Sequence, residues 1–227
     1  MIETVFLDAG GVLVNPNWVR VSEAMARHGV DAPAAVLEAA EPRAKRQLDT
    51  GTAVKATSDA TRGWLYFNLV LQHAGLALSD ATEAALQELA AYHAQFNLWE
   101  SVPAGVPEAL DRLRAAGRRL VVVSNANGTL QAHFARLGLR ERFDVLIDSF
   151  DEGVEKPDPR IFRVALERSG ARPETTLHAG DFYHVDVVGA RAAGLEAWLV
   201  DAAGLYADHD CTRVALLPAL VDRLLAA

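Results

Sequence analysis

Short apolar, β-branched runs recur along the chain: Thr4-Val5-Phe6-Leu7, Leu120-Val121-Val122-Val123, Val145-Leu146-Ile147, Thr176-Leu177-His178-Ala179 and Ala197-Trp198-Leu199-Val200. Each has the length of a strand and is bounded by a turn-former or a charge. Continuous rather than alternating apolar positions suit strands covered on both faces, as in a parallel sheet. Helical spacing separates the later runs. Val106, Ala109, Leu110 and Leu113 fall on one face, as do Leu130, Phe134 and Leu137, and a further turn begins at Ile161 and stops at Gly170. Residues 187–193 predict a helix ending at Gly194. Strand and helix in alternation predict an α/β fold with a doubly wound, Rossmann-like parallel sheet.

Residues 15–100 break the alternation. They hold no strand-like run. Amphipathic stretches fill them instead, at Val19–His28, Ala34–Leu48, Thr57–Ala74 and Ala81–Phe96, divided at Gly29, Gly51 and Gly75. In the third stretch Trp64, Phe67 and Leu71 share a face at helical spacing, which predicts a packed interior position for that aromatic group. The expectation is an α/β core built from residues 1–14 and 101–227, with an inserted all-helical cap over 15–100. The insert leaves the core directly after the first strand, where an α/β site forms.

Ligands of open parallel sheets bind at the carboxyl ends of the strands. After the first run come Asp8-Ala9-Gly10-Gly11, and after the second Ser124-Asn125. Lys156-Pro157 follows the third at a short distance, and Gly180-Asp181 with Asp186 follow the fourth. Taken singly, these are ordinary turn, cap or solvated-loop residues. Gly189, Ala190, Ala193 and Gly194 also suit close packing of a helix. Their order along the chain, each at a strand end, gathers carboxylates, a hydroxyl and an ammonium on one edge.

Composition narrows the partners. The chain has 227 residues, net charge −8 and 51% hydrophobic residues, enough for a substantial core. The acidic balance and the absence of a Lys/Arg run argue against nucleic acid and anionic membrane surfaces. No apolar stretch reaches the roughly 18 residues of a membrane span. The opening MIETVFLDAGG lacks the basic segment of a signal peptide, and Cys211 is the only cysteine, so a reducing, cytoplasmic setting is expected.

The ordered set Asp8 to Leu13, Ser124, Lys156-Pro157 and Gly180-Asp181 with Asp186 resembles the four motifs of the haloacid dehalogenase-like (HAD) superfamily. Lys156-Pro157-Asp158-Pro159 with Ile161-Phe162 is similar to the usual context of its third motif. The resemblance implies an Mg²⁺-dependent hydrolase of a small phosphorylated molecule, acting as monomer or homodimer. It implies Asp8 as nucleophile and Lys156 as its charge partner, with Ser124 and Asn125 at the substrate. Asp8, the Gly10 carbonyl, Asp181 and Asp186 would serve the metal, since carboxylates and carbonyls favour a hard cation. One departure stands out. Family phosphatases carry a second Asp two residues after the first, as general acid and base, and here that position is Gly10. His28, His73, His93 and His184 are available side chains, none of which the sequence singles out as a substitute. The resemblance also admits a 2-haloacid dehalogenase, a phosphonatase using a cap lysine such as Lys45 or Lys55, or a non-catalytic ligand-binding protein.

Overall fold

A computed structural model describes residues 1–226, with the side chains of all but Asp59 and Ala60. In chain order, β1 (Thr4–Leu7) is followed by α1 (Trp18–Arg27), α2 (Ala34–Leu48), α3 (Gly51–Ala56), α4 (Asp59–His73) and α5 (Asp80–Phe96). Then come α6 (Val106–Ala115), β2 (Arg119–Ser124), α7 (Leu130–Arg136), β3 (Val145–Asp148), α8 (Ser149–Glu152) and α9 (Pro159–Ser169). The chain continues through β4 (Thr176–Gly180), a π-helical turn at Tyr183–Val187, α10 (Val188–Ala192), β5 (Glu196–Val200), β6 (Thr212–Val214) and α11 (Leu217–Ala226). It divides into two compact units, Met1–Asn15 with Ser101–Ala227, and Pro16–Glu100.

The first unit is the α/β one. Among the described residues its sheet has the order β3-β2-β1-β4-β5-β6, and every pairing is parallel. β1 is therefore central, with Leu7 beside Val122 of β2 on one side and Ala179 of β4 on the other. The chain fills one side of β1 with β2 and β3 before crossing back to β4, so the winding reverses between β1 and β4. That reversal opens the crevice in which doubly wound sheets bind ligands. β1 and β4 are buried at every residue, as the continuous apolar runs predict. One face is closed by Phe6, Val121, Val123 and Ile147 packing on Ile161, Phe162 and Ala165 of α9 and Ala190 of α10. Pro159 begins α9 and Asp158 caps it by accepting from the Arg160 N–H, the arrangement that a fixed φ and an orphan donor favour. Gly170 ends it at φ 63°, a left-handed conformation that glycine adopts without steric cost.

The second unit is helical throughout. Its α2 packs on α4, and α1 on α5 and α2. Buried Trp18 and Tyr66 pack with half-buried Phe67 and Trp99 at centroid spacings of 5.0–6.4 Å. Glu41 is buried there and accepts from the Tyr66 hydroxyl at 2.7 Å and from Lys45 at 2.9 Å.

Several details depart from the sequence pattern. The predicted helix over 57–74 begins at Asp59, after a separate α3 that Thr50 caps. Trp64 does not share the interior of Leu71, being 44% exposed. The helix expected over 187–193 starts as a π-helical turn four residues earlier. β6 has only three residues, Thr-Arg-Val, at the sheet edge, where neither length nor apolarity marks a strand.

Candidate active site

The carboxyl edge of β1 and β4 gathers the charged groups. Asp8 leaves β1 with its backbone N–H bonded to the Ala179 carbonyl at 2.9 Å. A tight loop follows, in which Leu13 and Val14 both donate to the Ala9 carbonyl and Gly11 donates to Val14. Gly11 takes φ 71°, so a side chain there would be strained. The Ala9 N–H donates to Asp8 Oδ1 at 2.8 Å, and Lys156 Nζ lies 2.8 Å from the same oxygen. Two donors on one oxygen fix the orientation of the carboxylate.

Lys156 is buried, 1% exposed. A lysine is rarely buried without anionic partners, and this one has two, since its Nζ is also 2.7 Å from Asp186 Oδ1. Its main chain is held as firmly. Asn125 accepts from the Lys156 N–H at 2.8 Å and donates to the Lys156 carbonyl at 3.0 Å. Both amide atoms of Asn125, expected at the substrate, thus serve the lysine loop. The Lys156-Pro157 peptide is cis. Ser124 closes β2 next to β1 and is buried, with only a long 3.5 Å contact from its hydroxyl to the Asn125 carbonyl.

On β4 the glycine of Gly180-Asp181 has a steric cause. A Cβ built on Gly180 would fall inside the Asp186 carboxylate, which folds back over it. One built on Gly189 would meet the Pro157 carbonyl oxygen at 2.9 Å and Phe162 at 3.0 Å, so α10 packs directly on the lysine loop. Asp186 Oδ2 accepts from the Phe182 N–H at 3.1 Å, and Oδ1 accepts from Lys156 and from His178 Nε2 at 3.0 Å. His178 carries no role in the sequence reading. The available signal was a histidine inside an otherwise apolar buried strand, because a buried polar ring needs a partner.

Among the described residues, Asp8, Asp181 and Asp186 each offer an oxygen within 4.8 Å of the others. Three carboxylates against one ammonium leave two surplus negative charges when all are ionised. That all-oxygen set fits a hard divalent cation and not a soft one. The imbalance marks the acidities. Burial first, and then the repulsion of Asp186 and Asp181, outweigh Lys156 and raise the Asp8 carboxyl to about 7. Burial works against ionised Asp186 too, but Lys156 and His178 outweigh it and hold that carboxyl well below the usual range. Burial alone would lower the Lys156 ammonium, yet Asp186 and Asp8 raise it above its ordinary value. Lys156 is therefore a fixed positive charge, not a base.

The structure also places the other histidines. His28 pairs with Glu88 at 3.1 Å, His73 with Gln47 at 2.9 Å, and His93 accepts from the Leu98 N–H. His184 stands on the π-helical turn that carries Asp186, against Tyr183.

Residues 2–194 match the family of haloacid dehalogenase-like hydrolases. A mouse haloacid dehalogenase-like hydrolase domain-containing protein 3 is 43% identical over 96 residues, 42% of this chain and 38% of that one. A glyceraldehyde 3-phosphate phosphatase of Methanothermobacter thermautotrophicus is 35% identical over 127 residues, 56% of each chain. The matches thus span from about a third to just over half the length of these two relatives. A magnesium-bound HAD hydrolase structure from Bacillus subtilis superposes over 98% of both chains with a TM-score of 0.71 at 17% identity, a likeness of fold. With the family match running through all four strand-end clusters, the chain belongs to the haloacid dehalogenase-like hydrolases.

Proposed function

We propose that this hydrolase is an Mg²⁺-dependent phosphatase of small phosphorylated metabolites, acting through an aspartyl-phosphate on Asp8. The observation that carries the reading is the Asp8–Lys156–Asp186 chain of contacts beside Asp181, a carboxylate cluster with one buried ammonium. An ionised carboxylate is a competent nucleophile. A bound cation would keep Asp8 ionised against the burial and neighbouring carboxylates that raise its pKa, and the Lys156 and Ala9 donors hold it in one orientation. One Asp8 oxygen bonds to phosphorus as the bond from phosphorus to the leaving oxygen breaks. Water then attacks the same phosphorus, releasing phosphate and freeing the carboxylate. Lys156 balances the charge of Asp8 and the phosphoryl group throughout, and the Ser124 hydroxyl donates to a phosphoryl oxygen. Asn125 positions Lys156. Asp8, Asp181, Asp186 and the Gly10 carbonyl would hold Mg²⁺, which supplies charge stabilisation for the phosphoryl oxygens.

Gly10 offers no side-chain proton, so the leaving group departs unassisted from that position. Acyl and aryl phosphates, whose anions are stable, suit the site best. Similarity to a protein named glyceraldehyde 3-phosphate phosphatase favours a short sugar phosphate as the natural class. Such an alkyl ester would need its leaving-group proton from the substrate itself or from a group other than residue 10, and the helical unit, read as a cap, would select among them.

Dehalogenation fits less well. A 2-haloacid is itself an anion, and without a cation it would meet the surplus negative charge of three carboxylates. A phosphonatase lysine is not evident either, since Lys45 is ion-paired to Glu41 and Lys55 is exposed on α3. The test is release of phosphate from p-nitrophenyl phosphate and of chloride from 2-chloropropionate, with Mg²⁺ and with EDTA. Mg²⁺-dependent phosphate release is the expected outcome. Metal-independent chloride release would replace the phosphatase reading.

A further inference from the structure

We propose that His178 is a positioning residue, whose Nε2–H selects the oxygen of Asp186 left for a cation and steadies the carboxylate that holds Lys156 against Asp8. This rests on the reading of Asp8, Asp181 and Asp186 as a cation site. His178 lies in the middle of β4 with 0% exposure, and its Nε2 is 3.0 Å from Asp186 Oδ1. The other ring nitrogen, Nδ1, is buried and has no hydrogen-bond partner. A hydrogen on Nδ1 would be a donor with no acceptor in the core, so the hydrogen of the neutral ring sits on Nε2 and points at Asp186. Phe162 meets the ring edge-on, with centroids 4.9 Å apart at 74°, and fixes its plane.

The count of lone pairs gives this contact its consequence. An ionised carboxylate accepts at about four positions, two on each oxygen. On Asp186, Oδ1 receives both Lys156 Nζ at 2.7 Å and His178 Nε2 at 3.0 Å, while Oδ2 receives only the Phe182 N–H at 3.1 Å. One position on Oδ2 remains. Without His178 a position on Oδ1 would open as well, and the carboxylate would lose the constraint that aligns it with Lys156. Partners behind a metal ligand, when removed, typically weaken metal binding or activity by about 10–100-fold.

The test uses Mn²⁺ as the probe, with free ion measured by electron paramagnetic resonance on wild-type protein and on His178→Met, His178→Gln and His178→Asn. Met removes the donor at similar bulk, Gln places an N–H near the former Nε2, and Asn places one too short to reach. Asp181→Asn serves as the site control. His178→Met and His178→Asn are expected to bind Mn²⁺ about 10–100-fold more weakly, with His178→Gln recovering most of that loss. Turnover at saturating Mg²⁺ should then show a lowered kcat with the substrate KM little changed. Should Met or Asn bind as tightly as wild type, or Gln fail as badly as Asn while circular dichroism shows both folded, the positioning role is wrong. Gln and Asn differ only in reach, so this comparison holds even if Met does not fold. Failure of the wild-type protein to bind Mn²⁺ at all, or binding that survives Asp181→Asn, would instead remove the cation site and this inference with it.

Discussion

Replacing Asp8 by Asn should make the cation-free protein harder to unfold at pH 8, and much less so at pH 5. The cause is the cost of ionising Asp8 in its folded setting. Burial and then two neighbouring carboxylates, opposed by Lys156, raise its carboxyl to about 7. In the unfolded chain the same group titrates at roughly 3.9. The unfolded state therefore releases its proton first, so stability falls as pH rises from about 4 and the full cost is reached above about 7. At about 1.4 kcal/mol for each pH unit the ceiling is about 4 kcal/mol. Relaxation of the site and entry of water reduce it, so we expect about 2 kcal/mol. For a protein of this size that is a rise of roughly 4–8 °C in Tm. The assay is thermal unfolding of both proteins in EDTA at pH 8 and pH 5. The gap should shrink by roughly half or more on acidification, and saturating Mg²⁺ should narrow it by stabilising the wild type more than the variant. Equal Tm values at pH 8, or a gap that does not respond to pH, would refute this account of Asp8.

Other substitutions separate the parts of the site. Asp186→Asn should act in the opposite direction to Asp8→Asn and destabilise by about 3–5 kcal/mol, because it weakens the pairing of a buried ammonium; denaturant melts of the two variants would show the contrast. Gly189→Ala should cost about 1–3 kcal/mol by pushing on Pro157 and Phe162, and a Tm equal to wild type would mean the helix can shift freely. Asn125→Ala, which releases both ends of the Lys156 peptide, should lower kcat by about 10-fold or more with substrate KM less affected, checked by steady-state kinetics. Rates across a series of phosphate esters should rise steeply as the leaving group becomes more acidic. Gly10→Asp should flatten that dependence by restoring a proton donor worth roughly 10²–10⁴-fold on alkyl phosphates.

The sheet was legible because its strands are apolar at nearly every position and end in residues that recur in order. Asp8, Lys156, Asp181 and Asp186 needed only those strand ends to be picked out. What stayed hidden depended on contacts far apart in sequence. His178 looks like one polar interruption in a strand until Asp186 folds back to it across Gly180. Asn125 looks like a turn residue until Lys156, from a different loop, uses both its amide atoms. β6 was missed because three residues with only one buried apolar side chain carry no period. Trp64 was misplaced because an aromatic at helical spacing fits a packed stripe, whereas its side chain faces outward at that turn.

If Asp8 carries the phosphoryl group, the aspartyl-phosphate can be trapped on it. Protein mixed with acetyl phosphate and Mg²⁺, quenched in acid within milliseconds and mapped by mass spectrometry, should show one phosphoryl group on the peptide containing Asp8. The label should vanish in EDTA, and Asp8→Asn should neither take it up nor release phosphate. A phosphoryl group found on another residue, or phosphate release undiminished in Asp8→Asn, would contradict the account.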